Sequence, residues 1–398
     1  MATFNDILGY EKPLKEIKTI CDYLKNTKKY KDFGVKIPEG ILICGERGVG
    51  KTLFANALAD ESNRNTYRPS EKSEHAIKKA IKLAVKNTPS VLIFDDLDCY
   101  PECVYPLIDE FLTKLDNDIF VISTAMDKEG LPESLLACNA FEMRITLKVP
   151  EFEDSKLIFK KYFSDKKVAD DFNLEDFCYI AEDWSVSMVE DVYNEASIYA
   201  VHEGATQVTL DHIFRAALKI DDKYLADKFR PSTAYHEAGH AVVDLLQGGE
   251  AAYIFITDVG SGQYVKKTQA VESYKDRQNS YTVAFAGIAC EELYICESAI
   301  GGYTDLGNVS KNIEEDNKFL ACQGFEYYDS IELNSPAFND ALAKKVQSDM
   351  QSYYDKAKKI IEDNKPLVEA LVEALKKKNY LLHSEIHSIY DEYLRDKK

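Results

Sequence analysis

The stretch from residue 45 to residue 52, GERGVGKT, fits the pattern G-x-x-x-x-G-K-[ST] and directly follows a short apolar run, Ile41 to Cys44. Between a strand and a helix, the glycines of this pattern let backbone amides turn inward on phosphate groups. The helical stretch Leu53 to Asp60 adds the positive end of its dipole. The pattern therefore predicts a parallel α/β sheet with a phosphate-binding loop after one of its strands.

A second apolar run ends in an acid pair, which supplies the other half of such a nucleotide site. Asp95 and Asp96 follow Val91 to Phe94, so Asp95 is placed to hold Mg²⁺ through water and Asp96 to orient the attacking water. Lys51 is expected to reach the β- and γ-phosphate oxygens, and the Thr52 hydroxyl to ligate Mg²⁺. The predicted ATP-binding residues are Gly45, Gly48, Val49, Gly50, Lys51, Thr52, Asp95 and Asp96.

The chain of 398 residues is too long for one ordinary domain. Apolar runs alternate with helical stretches in the first part, and the pattern then becomes helical. Asp227 to Pro231 fits a linker, and the mainly helical remainder contains a small predicted sheet near Tyr253 to Ile256 and Gly262 to Val265. We therefore predict three domains, at residues 1–148, 149–226 and 227–398.

The segment YHEAGH, residues 235–240, holds two histidines four residues apart with a glutamate directly after the first. On a helix, His236 and His240 project from one face, close enough to bind a single Zn²⁺. Glu237 then lies beside the metal and takes a proton from the metal-bound water. Taken alone, the motif also fits a helix with two ordinary histidines and a chance acid.

Composition excludes several functions. The net charge of −19 argues against a nucleic-acid-binding surface and provides no polybasic membrane anchor. No apolar stretch approaches the roughly 20 residues that cross a bilayer. The N-terminus does not read as a secretory signal, and the nine cysteines form no C-x-x-C pair. We therefore expect a cytoplasmic protein without a membrane span in this chain and without a nucleic-acid partner.

With both motifs in this order, the sequence resembles the FtsH family of ATP-dependent zinc metalloproteases over almost its whole length. The likeness includes four further segments, Phe4 to Gly9, Lys36 to Gly40, Val192 to Ala196 and Ala284 to Glu292. The resemblance implies a multidomain fold, in which an α/β AAA-type P-loop ATPase core with a helical lid precedes a mainly α-helical zinc metallopeptidase domain. It implies Zn²⁺, ATP and Mg²⁺ as cofactors, and an endopeptidase that cuts protein substrates by Glu-assisted attack of zinc-bound water.

The resemblance also implies roles for single residues. The family takes its third zinc ligand from an aspartate in a small-residue turn before a helix, and Asp305 in GGYTDL fits that place. Glu291 and Glu292 match an acid pair in a helix under the zinc site. The adenine pocket corresponds to Ile7, Leu8 and Gly9.

A second histidine pair, His383 and His387, has the same spacing but lacks the acid directly after its first member. We expect these two histidines at the surface and outside the metal site.

The chain departs from the family mainly in the motor half. No glycine occurs from Lys51 to Glu129, so the family's aromatic-apolar-glycine loop for threading substrate is missing. Met126 stands where the family has a polar sensor asparagine, and Ala137 and Ala140 stand where it presents arginines to a neighbouring subunit. Asp96 is one methylene shorter than the usual glutamate. The peptidase half is predicted intact and the motor half degenerate.

Three functions remain open on the sequence. The first is an ATP-fuelled protease, either a homo-hexamer or a mixed ring with related subunits. The second is a zinc peptidase whose nucleotide site is regulatory or structural, with weak hydrolysis, and the third is a non-enzymatic partner subunit.

Tyr264 and Val265 are expected in an edge strand that pairs with extended polypeptide substrates, and a proline at Val265 is expected to remove a donor from that edge.

Overall fold

The structure is a computed structural model that describes residues 2–36, 38–115, 118–137, 141–220, 222–259, 261–267, 273–295, 303–319 and 336–397. The chain forms two compact units. One comprises residues 1–170 and 183–207, and the other comprises residues 171–182 and 208–398.

The strands are β1 (Gly40–Gly45), β2 (Asn65–Tyr67), β3 (Ser90–Phe94), β4 (Ile119–Ala125), β5 (Met143–Leu147), β6 (Ala251–Ile256), β7 (Gly262–Lys266) and β8 (Tyr380–Leu382). The helices are α1 (Glu11–Lys25), α2 (Thr27–Asp32), α3 (Lys51–Glu61), α4 (Glu74–Lys86), α5 (Tyr105–Thr113), α6 (Glu133–Leu136), α7 (Phe152–Phe163), α8 (Leu174–Ile180), α9 (Val186–His202), α10 (Leu210–Ile220), α11 (Pro231–Leu246), α12 (Tyr274–Tyr294), α13 (Tyr303–Phe319), α14 (Pro336–Asp363), α15 (Lys365–Lys378) and α16 (His383–Asp396).

The first unit is built around a five-stranded parallel sheet with the order β2-β3-β4-β1-β5. Its central strands are buried on both faces, as their nearly continuous apolar sequences predict. In β1, Ile41 and Ile43 enter one apolar cluster and Leu42 and Cys44 enter the other. Because β1 pairs with β4, and β4 with β3, the ends of these three strands lie side by side and bring together the residues that follow them.

The second unit contains a three-stranded antiparallel sheet with the order β7-β6-β8 and a group of helices around one apolar core. Helices α11, α12 and α15 contribute many of the buried side chains. Across the described residues, we find no helix with both the length and the apolar character that a membrane crossing requires.

The predicted fold class is confirmed by the parallel α/β sheet and the mainly helical C-terminal part. The compact units divide the helical middle of the chain differently from the predicted lid, since α7 and α9 belong to the first unit, whereas α8 and α10 belong to the second. The predicted boundaries at 148/149 and 226/227 stay a prediction.

Candidate active site and nucleotide site

Helices α11 and α12 pack closely because small residues lie where they meet. A Cβ atom on Gly239 of α11 would fall 2.6 Å from the carbonyl oxygen of Ala286 and 2.7 Å from Cβ of Cys290. A Cβ on Gly287 of α12 would fall 2.5 Å from Nε2 of His236. Gly239 therefore lets the two helices approach closely, and Gly287 creates the space in which His236 lies.

The two histidines and the glutamate of α11 come together in one buried place. His236, Glu237 and His240 are 7%, 6% and 8% exposed, and the ring centroids of the two histidines are 4.7 Å apart. All three residues line a cleft of about 890 Å³. The predicted helical spacing thus produces one buried cluster rather than two independent side chains.

Contacts with the Nδ1 atoms orient both imidazoles. His240 Nδ1 lies 2.7 Å from the carbonyl oxygen of Val283, so Nδ1 carries the proton and Nε2 is left as a lone-pair donor. His236 Nδ1 lies 3.5 Å from Oε2 of the buried Glu291. Ser232 Oγ donates to the other oxygen of Glu291 at 2.8 Å. Carboxylate and carbonyl groups in these positions are typical of histidines that bind zinc.

Two of the three predicted zinc ligands, His236 and His240, lie together in a way that fits a zinc ion. Both are suitable zinc ligands, the contact with Val283 fixes the tautomer of His240, and Glu237 lies next to them, where a base is needed. Within the described part of the chain, no group of three or more His, Cys, Asp or Glu side chains is arranged to hold a metal ion. The side chain of Asp305 lies outside the described part, as do Gly301 and Gly302, so the third ligand stays a prediction.

The structure shows how the helix that carries Asp305 is fixed. Its backbone lies in the first turn of α13, and Leu306 packs against the same apolar core as Ala238 and Ala286. Further along α13, the buried Asp316 accepts a hydrogen bond from Tyr281 of α12 at 2.6 Å. These contacts hold α13 against α12 and the apolar core of the second unit.

Asp305→Ala is expected to reduce zinc binding far more than Glu291→Ala. Loss of a ligand opens the coordination shell, whereas loss of an orienting carboxylate typically costs about 10- to 100-fold in affinity or activity. Zinc retained by each variant during titration with a chelator measures the difference. The reverse order would assign the third ligand to Glu291.

Strand β7 lies beside the glutamate and forms an edge of its sheet. A Cβ atom on Gly262 would fall 2.7 Å from Cγ of Glu237, so only glycine lets the strand approach this closely. Tyr264 donates a hydrogen bond to the buried Asp244 of α11 at 2.6 Å. Burial and the neighbouring Asp244 carboxylate raise the pKa of the Tyr264 hydroxyl well above its ordinary value, so it stays a donor. This bond fixes the strand to the helix that carries both histidines.

The hydrogen-bond phase of β7 decides which amides face outward. Thr257 N donates to Ser261 O at 2.7 Å, and Lys267 N donates to Glu250 O at 2.9 Å. Since bonded and non-bonded pairs alternate in an antiparallel ladder, the amide of Val265 points to β6 and those of Tyr264 and Lys266 point to the open edge. The expectation that a proline at Val265 would remove an edge donor was therefore wrong, because it would break the β6–β7 ladder.

In the first unit, the phosphate-binding loop joins β1 to α3. Gly48 and Gly50 have φ angles of 83° and 98°, which L-residues with side chains rarely adopt. Lys51 Nζ donates to the carbonyl oxygens of Gly45 and Glu46, at 2.7 and 2.9 Å. The loop thus has the predicted form, with α3 beginning at Lys51.

The acid pair meets the loop through two hydroxyl groups. Thr52 Oγ1 lies 3.1 Å from both carboxylate oxygens of Asp95. Thr124 Oγ1 donates to Asp95 at 2.6 Å and accepts from the backbone N–H of Asp96 at 2.7 Å. Sequence reasoning missed Thr124, although a hydroxyl near the end of the strand next to β3 was a usable signal.

A cavity of about 720 Å³ lies over this loop. Ile7 and Leu8 line it, as predicted for an adenine pocket, whereas Gly9 is the adjoining turn residue, with a φ of 66°. Much of the remaining wall comes from α7 and the start of α9, which sequence reasoning did not include. These wall residues are Ile158, Lys161, Tyr162, Val186, Ser187 and Glu190.

The structure describes some of the positions at which the motor half was predicted to depart from the family, and the degenerate motor stays a prediction. The Met126 side chain is 53% exposed, and only its backbone groups connect Asp98 and Gly45. Ala137, the residue directly after α6, is exposed. Ala140 lies outside the described residues. Arg144 donates to the carbonyl oxygens of Phe141 and Leu136 of its own chain, at 3.0 and 2.7 Å.

The second histidine pair is half-buried in the second unit, whereas exposed surface histidines were expected. His383 stacks on Tyr179 with ring centroids 3.8 Å apart, and its Nδ1 lies 2.7 Å from the carbonyl oxygen of Ala251. Burial and the nearby His383 lower the pKa of His387. These contacts hold α16 against α8 and β6.

Comparison with known proteins agrees with this geometry. Residues 41–149 match the family model of ATPases associated with various cellular activities (AAA). The chain is 25% identical to the ATP-dependent zinc metalloprotease FtsH of Streptobacillus moniliformis, covering 97% of this chain and 64% of that protein. It is also 25% identical to FtsH of Mycoplasma mobile, covering 97% of this chain and 62% of that protein.

A third relative, ATP-dependent zinc metalloprotease FtsH 2 of a Thermoanaerobacter species, is 27% identical, and the match covers 98% of this chain and 83% of that protein. The chain spans less than two thirds of the first two relatives. These likenesses confirm the predicted resemblance to the FtsH family and the AAA module at residues 41–149.

Proposed function

We propose that this FtsH relative is a zinc metalloendopeptidase that cuts polypeptide substrates and is coupled to ATP through its AAA module. The supporting observation is the buried cluster of His236, Glu237 and His240 beside the edge strand β7. Bound zinc would polarise the peptide carbonyl and lower the pKa of a water molecule at this site.

The chain's own residues supply the proton transfers and the orientation. Glu237 accepts a proton from the attacking water and returns it to the leaving amine, as a general base and then a general acid. Val283 and Glu291 hold the histidine rings so that each presents one nitrogen to the metal. Gly262 permits a peptide beside β7 to come close to Glu237.

Substrate is proposed to bind as an added strand on the open edge of β7. The outward amides of Tyr264 and Lys266 would donate to carbonyl groups of an extended peptide. Recognition through the main chain suits a protease that accepts many sequences, because these hydrogen bonds do not depend on side chains. The Tyr264–Asp244 bond would keep the strand at a constant distance from Glu237.

Lys266→Pro is expected to raise KM for peptide cleavage by about two- to tenfold, because it removes one main-chain donor from the open edge. Proline is tolerated at an edge where the missing N–H faced solvent. Lys266→Ala keeps that amide and serves as the matched control. Equal KM values in the proline variant and the wild type would contradict strand addition at this edge.

The nucleotide site supports ATP binding with Mg²⁺ at Thr52 and Asp95. We propose a ring of copies of this chain, or a mixed ring with related subunits, as the working assembly. A second function, in which the nucleotide is regulatory or structural and hydrolysis is weak, is favoured by the exposed apolar Met126 and by the contacts of Arg144 within its own chain.

Casein cleavage and ATP hydrolysis by the purified chain distinguish these functions. Each activity should be measured with the other blocked, by Glu237→Gln for cleavage and by a non-hydrolysable ATP analogue for hydrolysis. Cleavage that needs ATP hydrolysis supports the motor function. Cleavage that persists with the analogue bound supports the regulatory one, and a zinc-loaded wild-type chain without any cleavage would contradict both.

A further inference from the structure

The phosphate-binding loop carries an arginine that the site described above does not use. Arg47 is the third residue of the loop, between Gly45 and Gly48, and it lines the nucleotide cavity. Its neighbour Glu46 is exposed and does not belong to the cavity wall. The positively charged side chain of Arg47 therefore borders the nucleotide site, whereas the negatively charged side chain of Glu46 does not.

Arg47 differs from the other arginines in its contacts. The chain has eight arginines, all in its described part, and seven of them make hydrogen bonds or ion pairs with other described residues. Within the same part of the chain, Arg47 has no such partner. In a protein with a net charge of −19, a guanidinium group without a counter-ion beside a phosphate site is an unusual feature.

The other charges of the cavity do not explain Arg47. Lys161 lies 3.6 Å from Asp6, and these two charges offset each other. Lys51 is held by the loop carbonyls, at the start of α3. Asp96 and Glu190 line the wall as well, but neither is paired with Arg47. The guanidinium therefore remains available to an anionic ligand.

We propose that Arg47 binds the terminal phosphate of a nucleoside triphosphate from within the same chain. This inference rests on the proposed nucleotide site. A guanidinium group can donate two parallel hydrogen bonds to phosphate oxygens, in a geometry that an ammonium group cannot provide. Loop amides and the N-terminus of α3 bind the inner phosphates, and Lys51 reaches the β- and γ-phosphate oxygens, so Arg47 adds a second positive contact to the outermost phosphate.

The proposal has a consequence for turnover. Arg47 supplies its positive charge without a neighbouring subunit, so the hydrolysis that remains should not depend on assembly. The rate per chain should therefore stay constant as the protein is diluted below the concentration at which it associates.

Affinities of Arg47→Ala, Arg47→Lys and Glu46→Ala for a non-hydrolysable ATP analogue and for ADP, each with Mg²⁺, test the proposal by calorimetry. Arg47→Ala should weaken binding of the triphosphate analogue by about 10- to 100-fold and change ADP binding by less than about threefold. Arg47→Lys should recover part of the loss, because it restores the charge but not the paired donors. Glu46→Ala, in the same loop, should change neither affinity.

Equal losses for both nucleotides, or no loss for the triphosphate in a folded Arg47→Ala protein, would overturn the role of Arg47 and leave the nucleotide site standing. Failure of the wild-type chain to bind either nucleotide would overturn the nucleotide site and Arg47's role together. If Arg47→Ala does not fold, the ratio of the two affinities in Arg47→Lys decides, since a selective loss for the triphosphate supports the proposal and an unchanged ratio overturns it.

Discussion

Glu237→Gln is expected to abolish peptide cleavage in a protein that keeps its zinc. Glutamine preserves the size of the side chain but cannot accept the proton of the attacking water, and loss of a general base lowers rates by about 100- to 10,000-fold. The proposed ligands His236 and His240 are unchanged, and their contacts with Glu291 and Val283 do not involve residue 237. Casein cleavage and zinc content, measured on the same preparation, check the result.

His236→Ala and His240→Ala are expected to lose both zinc and cleavage, because each removes one ligand. His383→Ala is the matched control, since that histidine belongs to a pair with the same spacing, packed against Tyr179 outside the cluster. It should keep about one zinc per chain. Zinc loss in Glu237→Gln would contradict the division of roles and make Glu237 a ligand.

The parts of the site that the sequence predicted are those set by local spacing. His236 and His240 come together because four residues make about one helical turn, and the loop from Gly45 to Thr52 takes its form from its own glycines. Both results need only the residues within the motif and the element that carries it. Asp95 after β3 and Thr52 at the start of α3 also meet, because β1 and β3 belong to one parallel sheet and end at the same edge.

The parts that the sequence did not predict depend on contacts between distant segments. The outward direction of the Tyr264 amide follows from the alternation of hydrogen-bonded and non-hydrogen-bonded pairs along β6 and β7, and no feature of β7 alone fixes it. Strand β8 lies in the part of the chain that was predicted to be mainly helical, and it pairs with β6 more than 120 residues earlier in the chain. Tertiary pairing overrides local propensity in such cases.

The walls of the nucleotide cavity illustrate the same limit. Ser187 of α9 packs over Gly48, where an added Cβ would fall 2.4 Å from its hydroxyl oxygen. No spacing rule connects a loop near residue 48 with a helix start near residue 187. His383 was expected at the surface for a related reason, since its stacking on Tyr179 joins segments about 200 residues apart.

Lys51→Ala is expected to abolish ATP binding, because the lysine is the loop's own contact to the outer phosphates and its side chain is already held inside the loop. Glu46→Ala is a suitable control, since this exposed residue of the same loop lies outside the cavity wall. Calorimetric titration with ATP and Mg²⁺ measures both variants. Normal affinity in Lys51→Ala would contradict the assignment of this loop.

Turnover of bound ATP is expected to be slow, at least tenfold below an ordinary member of the family. The contacts that bind the ground state remain, including Thr52 and Asp95. The predicted deficits act mainly in the transition state, where arginines in trans are worth about 10³- to 10⁵-fold, so they should lower turnover without an equal loss of affinity. Restoring arginine at Ala137 and Ala140 should raise hydrolysis if the chain forms a ring. Fast, cooperative hydrolysis by the unmodified homogeneous protein would contradict the weak motor and favour ATP-driven proteolysis by this chain alone.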